Sequence, residues 1–294
     1  MNVNQPLVSI IIPSYNHENY VEQAIMSVIN QTYKNIELII IDDGSKDKSP
    51  YLIKELVNRT ASPKVIFETQ TNMGLCKTLN KAVRMANGEF ISFLASDDMY
   101  LPNRIEECVK VLSNTNANVC AVYSDGFIVD ENGRKISKYS DKLRVPLCKN
   151  IYKELLLRDW IAALSVLYKK SSLLECGLFD ENIEVEDYDM LLRLAQKFEF
   201  KYIPKCLFLY RRHGLNYSEN TQKMLEQIEV ISRKYEELYS YKNYKLALRN
   251  RDFTKLLDEI NLLNIELTLR AIVYKVQKKF NVSKLHLHTD ANSE

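Results

Sequence analysis

Short β-branched apolar runs alternate with longer segments of helical period through the first half of the chain. That alternation predicts βαβ units and a largely parallel sheet. Leu7 to Ile12 reads as the first strand, followed by a helix from Tyr20 to Gln31. Ile36 to Ile41 carries apolar residues on both alternating faces, as a strand covered by helices on both sides does. Further strands are expected at Lys64 to Thr69, Phe90 to Ala95 and Val119 to Ser124. Helices are expected at Gly74 to Met85 and at Pro102 to Asn114, the second with proline in its first turn. The implied topology is doubly wound.

Beyond Ser124 the alternation loosens. Asp130-Glu131-Asn132-Gly133 is a turn signal, and the polar stretch to Leu147 reads either as a hairpin or as a mobile loop. Leu164 to Tyr168 and Cys206 to Tyr210 read as later strands flanking a helix from Asp187 to Lys197. From Ser218 onward the sequence is long, charged and helical, without glycine or proline, which places a boundary near Asn216 and divides the chain into 1–217 and 218–294. Within the tail, Leu269, Ile272, Val273, Val276 and Phe280 recur at helical spacing beside Arg270, Lys275, Lys278, Lys279 and Lys284. Two readings of this face stay open: peripheral contact with anionic lipid, or packing on the first domain or on a second copy as a homodimer.

Composition narrows the class. The 294 residues, 46% hydrophobic and 27% charged, suit an ordinary folded protein with a self-sufficient core. A formal net charge of +2 supplies no overall field for nucleic acid, so none is expected as a partner. The six cysteines, at 76, 108, 120, 148, 176 and 206, show no metal-ligand spacing and read as reduced core thiols. The N-terminus lacks a secretory leader, and no apolar run reaches the roughly twenty residues of a spanning helix. The expectation is a cytoplasmic protein with at most peripheral membrane contact.

Candidate chemistry falls after the expected strand ends: Pro13-Ser14-Tyr15-Asn16, Asp42-Asp43-Gly44-Ser45 and Ser96-Asp97-Asp98. In an open α/β sheet these ends form the ligand crevice, although each cluster could equally cap the next helix. Adjacent carboxylates at Asp97 and Asp98 are costly to hold ionised unless a hard divalent cation sits between them and a diphosphate. Neither a Walker lysine loop nor G-x-G-x-x-G is present, which disfavours kinase and dehydrogenase chemistry.

Over about the first 217 residues the chain resembles a family 2 glycosyltransferase of the GT-A fold. The resemblance is carried by Ser9 to Asn16, Ile41 to Ser45, Asn72-Met73-Gly74, Asn87 to Ile91, Ser96-Asp97-Asp98, Gly177 to Asp180 and Glu186 to Asp189. It implies an α/β fold with a Rossmann-like, mostly parallel central sheet and helices on both faces, here followed by a C-terminal helical extension. It also implies a nucleotide-sugar donor, Mn2+ or Mg2+, and inversion at the anomeric carbon. Residue by residue, it places Asp43 on the base, Pro13 and Tyr15 around that pocket with Asn16 nearby, and Ser45 and Asn72 at further nucleotide positions. Asp97 and Asp98 would hold ribose and metal. Many members carry an aspartate where this chain has Ala95, which leaves open which of the two ligates the metal.

Glu186-Asp187 resembles the family's catalytic acidic pair, with Asp187 as the general base that takes the acceptor hydroxyl proton. The competing reading is a helix N-terminus favoured by acidic side chains. Tyr210 to Gly214 resembles the segment that closes over the diphosphate, and two readings of His213 stay open there: a hydrogen-bonded structural residue, or a phosphate or metal contact. Trp160 is either an acceptor platform or core. The expected function is transfer of one sugar from a nucleotide-sugar, most simply a UDP-sugar, to a glycan or lipid-linked glycan acceptor in bacterial surface polysaccharide or lipopolysaccharide assembly. The alternatives are a nucleotide-sugar-binding module without transfer and a nucleotidyltransferase.

Overall fold

A computed structural model describes residues 5–141, 151–157, 159–214, 216 and 220–235. In chain order the elements are β1 (Val8–Ser14), α1 (Val21–Ile29), β2 (Ile36–Asp42), α2 (Ser49–Asn58), β3 (Lys64–Thr69) and α3 (Leu75–Met85). Then come β4 (Phe90–Phe93), β5 (Met99–Tyr100), α4 (Arg104–Leu112), β6 (Val119–Val129), β7 (Lys135–Lys138) and α5 (Ile151–Leu157). A 3-10 turn at Ala163–Ser165 leads into β8 (Val166–Lys169), α6 (Lys170–Glu175), α7 (Glu186–Lys197), β9 (Glu199–Arg211) and α8 (Thr221–Lys234).

One sheet runs in the order β3-β2-β1-β4-β8-β6-β9-β5, with β7 paired to β6. β1 to β4 are mutually parallel where they pair, and β6 pairs β9 in parallel. β8 is antiparallel to both β4 and β6, and β5 is antiparallel to β9. β1, β2, β4 and β9 therefore end on one edge, which brings the loops after them together. Every residue of β2 is buried, so the doubly apolar pattern of that strand is satisfied from both faces. Ile10, Ile12, Leu38 and Ile40 pack with Val21, Ile25 and Val28 of α1 in the main core.

The opposite edge of the sheet has its own polar device. Glu37 is buried, and its carboxylate accepts from the Ser9 hydroxyl at 2.5 Å, the Asn87 N–H at 2.5 Å and the Gly88 N–H at 3.2 Å. Burial raises this carboxyl toward its neutral form, but the four hydrogen bonds from Ser9, Asn87 and Gly88 outweigh that and hold it below the usual range. A Cβ on Gly88 would lie 2.6 Å from the Ser9 backbone nitrogen and 2.9 Å from the Leu7 carbonyl, so only glycine lets the strands close here. The Asn87-Gly88 motif thus braces the sheet on the edge away from the crevice.

Several expectations need adjustment. The α4 helix starts at Arg104, two residues after Pro102, because Pro102 lies in the turn whose carbonyl accepts from Thr32 at 2.8 Å. β6 continues past Ser124 to Val129, and β9 begins at Glu199, where exposed lysines and Pro204 conceal the strand pattern. The turn at Asp130–Gly133 joins β6 to β7, so the hairpin reading holds as far as Asp141, and residues 142–147 lie outside the described residues. Cys76, Cys108 and Cys120 are buried free thiols. The first compact unit contains described residues up to Leu155 and from Asp159 to Gln227, and the described residues of a second are Leu156, Leu157 and Ile228 to Tyr235. The expected tail stripe from Leu269 to Phe280 and its basic neighbours lie outside the described residues. No helix among the described residues is long and apolar enough to cross a membrane.

Candidate active site

The loop after β2 is built from its own side chains. Asp42 accepts the Ser45 N–H at 2.9 Å and the Ser45 hydroxyl at 2.6 Å, and Gly44 takes φ +82 to complete the turn. A side chain at Gly44 would also strike the Asn72 backbone nitrogen at 2.8 Å. The Ser45 hydroxyl in turn accepts the Asn16 N–H at 2.8 Å, while Asn16 Oδ1 accepts the Lys46 N–H at 2.7 Å. Asn16 and Ser45 therefore spend these groups on joining the β1 and β2 loops. Asp43 is buried, and its carboxylate accepts from Met73 N–H at 2.8 Å, Gly74 N–H at 2.9 Å and Gln70 Nε2 at 2.8 Å. Pro13 lies on β1, and Tyr15, at 47% exposure, stands free beside the loop, as does exposed Asn72.

A second centre forms where the β1, β4 and β9 loops meet. Asp97 Oδ2 lies 3.0 Å from His213 Nε2, and His17 Nδ1 lies 2.7 Å from the Ser96 hydroxyl. His17, Asp97 and His213 each direct one ligand atom into a space where all three lie within 4.8 Å of one another. The rings of His17 and His213 meet edge-on at 5.9 Å, and Asn216 Nδ2 reaches Asp97 Oδ2 at 3.3 Å. Burial lowers the His17 pKa, with Asp97 opposing and His213 adding to the fall, which favours its neutral form. Nδ1 of His213 is buried without a hydrogen-bond partner. Two imidazoles and one carboxylate are a fitting donor set for a divalent transition ion.

Asp98 is not part of this cluster. Its carboxylate is buried and accepts the Arg211 backbone N–H at 2.8 Å. Burial and then the neighbouring Asp97 raise its pKa well above the carboxylate range, with Arg211 pulling the other way. Ala95 is exposed, in the turn whose Asp98 N–H donates to the Ala95 carbonyl at 3.1 Å.

A third centre opens α7. Asp187 Oδ1 accepts the Tyr188 N–H at 2.9 Å, and the Tyr188 hydroxyl donates to the Leu155 carbonyl at 2.6 Å, which pins the first turn of the helix. Burial raises the Asp187 carboxyl above its ordinary value against those backbone N–H bonds. Burial and then Asp187 raise Glu186 well above its own. Asp159 joins them, raised by burial and then by Asp187, with Oδ1 buried and unpartnered. Among the described residues, the first-turn acid Asp189 is paired with Arg193 at 2.8 Å. Burial, then Asp159, Tyr210, Asp187 and Asp98, raise the Tyr139 phenol.

His17, Tyr20, Asn216 and Asp159 were not singled out from the sequence. The available signal for His17 was composition, since only four histidines exist and one stands directly after the first polar cluster. Trp160 is 3% exposed and meets Tyr123 edge-on at 5.4 Å. The cavity beside it, about 10 Å³, has room for one water and none for a sugar ring, so its packing role prevails.

Residues 9–166 match the family model described as Glycosyl transferase family 2. The chain belongs to glycosyltransferase family 2. A glycosyltransferase of Rickettsia typhi is 32% identical across 78% of this chain and 71% of that protein, and another from Rickettsia conorii is covered over only 38% of its length. Among solved structures, Staphylococcus aureus TarS in complex with UDP-GlcNAc matches with a TM-score of 0.61 at 19% identity, over 77% of this chain and 65% of that one. The mannosyltransferase PcManGT from Pyrobaculum calidifontis, in complex with GDP-Man and Mn2+, matches with a TM-score of 0.63 at 15% identity, over 96% and 77%. Family 2 membership and the mostly parallel sheet with GT-A neighbours make this chain a GT-A glycosyltransferase.

Proposed function

We propose that this family 2 enzyme transfers a single sugar from a UDP-sugar to an acceptor hydroxyl with inversion, and that residues 1–217 form the catalytic part and 218–294 an extension. The observation that carries the reading is the convergence of His17, Asp97 and His213 at the strand ends, where one ligand atom of each lies within 4.8 Å of the others.

In this reading Tyr15 and Pro13 border the base, and Asp43, set rigidly by three donors, faces it alongside Asn72; Asn16 and Ser45 act by shaping that loop. His17, Asp97 and His213 would hold the divalent ion, and their two nitrogens favour Mn2+ over Mg2+, which prefers all-oxygen surroundings. When bound, such an ion supplies positive charge to the diphosphate leaving group. Asp98 fixes the β9 loop rather than the ion. Asp187 accepts the acceptor proton, and burial, which raises its carboxyl above the ordinary value, strengthens it as a base. Mn2+ and GDP-Man in PcManGT, and UDP-GlcNAc in TarS, support a metal and a nucleotide-sugar as a class. The acceptor is proposed as a glycan or lipid-linked glycan of a surface polysaccharide, handled at the cytoplasmic membrane face.

The test is incubation with Mn2+ and a panel of nucleotide-sugars, with and without acceptor glycans. Release of UDP with sugar transfer supports the enzyme. Binding without turnover at any donor would leave a sensing module, the reading that exposed Ala95 favours, and would defeat the proposal.

A further inference from the structure

Arg211 ends β9 and is wholly buried. Its guanidinium donates from Nε to the Asp97 carbonyl at 2.8 Å, from Nη1 to the Glu131 carbonyl at 2.6 Å, and from Nη2 to Gln23 Oε1 at 2.6 Å. None of these acceptors is a carboxylate. The backbone N–H of the same residue donates to Asp98, so one residue grips both members of the acidic pair, one by its carbonyl and the other by its side chain. The guanidinium also lies over the Tyr20 ring at 4.9 Å, and Tyr20 in turn stacks on His213 at 4.7 Å with 26° between planes and meets His17 edge-on at 6.2 Å.

A sequence with two arginines beside a histidine invites a phosphate-binding role for Arg211, yet its charge is turned inward and fully enclosed. Burying a guanidinium whose hydrogen bonds all go to neutral acceptors, with the Asp98 carboxyl only nearby, is costly and is kept only where its fixed fork does something a smaller group cannot. We infer that Arg211 is a positioning residue: it fixes the Asp97 main chain directly and the His213 ring through Tyr20, and so sets the spacing of the His17, Asp97 and His213 ligand atoms. This inference rests on the metal reading proposed above. A lysine would keep the charge but could not span the Asp97 carbonyl, the Glu131 carbonyl and Gln23 at once.

The experiment is a titration of Mn2+ alone into the full-length protein, followed by the electron paramagnetic resonance of free Mn2+, for the wild type, Arg211→Lys and Tyr20→Leu. Folded protein is confirmed by circular dichroism in each case. Loss of a group that orients metal ligands weakens affinity by about 10- to 100-fold, and that is expected for Arg211→Lys, with a smaller loss for Tyr20→Leu. Binding of UDP measured without metal should be unchanged in both. A purely structural residue would lower the melting temperature while leaving the Mn2+ affinity of the folded molecules intact, and that result overturns the inference. A wild-type protein that binds no Mn2+ overturns the metal reading and this inference together. If Arg211→Lys does not fold, Tyr20→Leu decides, since Tyr20 is only half-buried and its truncation spares the core.

Discussion

A carboxylate enclosed by protein is harder to ionise than one in water, and Asp187 occupies such a position in the first turn of α7. Its folded-state pKa lies above that of the unfolded chain, so the unfolded state releases the proton more readily. The resulting penalty on the fold is absent below the ordinary aspartate range, grows as pH rises toward the raised value, and is full above it. Asp187→Asn should therefore raise the melting temperature at neutral pH while lowering kcat by about 10²- to 10⁴-fold. Calorimetry and a transfer assay on the same preparation check both halves, and a destabilised variant would argue against an enclosed, strained base. For the wild type, the acid limb of kcat/KM should sit above the usual aspartate range, since transfer needs the deprotonated form.

At the scale of elements, the Glu37 brace gives a prediction of opposite sign. Its pKa is depressed in the fold, so its stabilisation is present above the ordinary glutamate range and is lost as pH falls through the lowered value. Glu37→Gln should flatten the fall of melting temperature on acidification. Gly88→Ala should destabilise by about 2 kcal/mol or more, because the new methyl meets backbone rather than a yielding side chain; denaturant unfolding measures this. Periodicity revealed β1 to β4 because their apolar runs are continuous and bounded by turn residues. It missed α2, where a Lys-Ser-Pro opening reads as a turn and only Ser49 and Ile53 are buried. It shortened β9 because Lys201, Pro204 and Lys205 break the alternation on a strand whose register with β6 shifts repeatedly. Motif spacing singled out Asp43, Asp97, Asp187 and His213, but it could not show which polar groups are tied up in holding loops. Asn16, Ser45 and Asp98 each hydrogen-bond between or within loops, a feature that exists only once the loops are folded against each other.

Across the molecule, ligands that bind only the folded state raise its melting point. UDP with Mn2+ should produce a larger shift than UDP alone, and His213→Ala should reduce the two to the same value in a thermal-shift measurement. The polar device around Glu37 and the crevice occupy opposite ends of β1, about 20 Å apart at ~3.3 Å per residue. Energetic effects at such separations add with little coupling. Sequence drift at one end can thus tune how long the molecule lasts, while drift at the other alters what it handles, and neither history constrains the other.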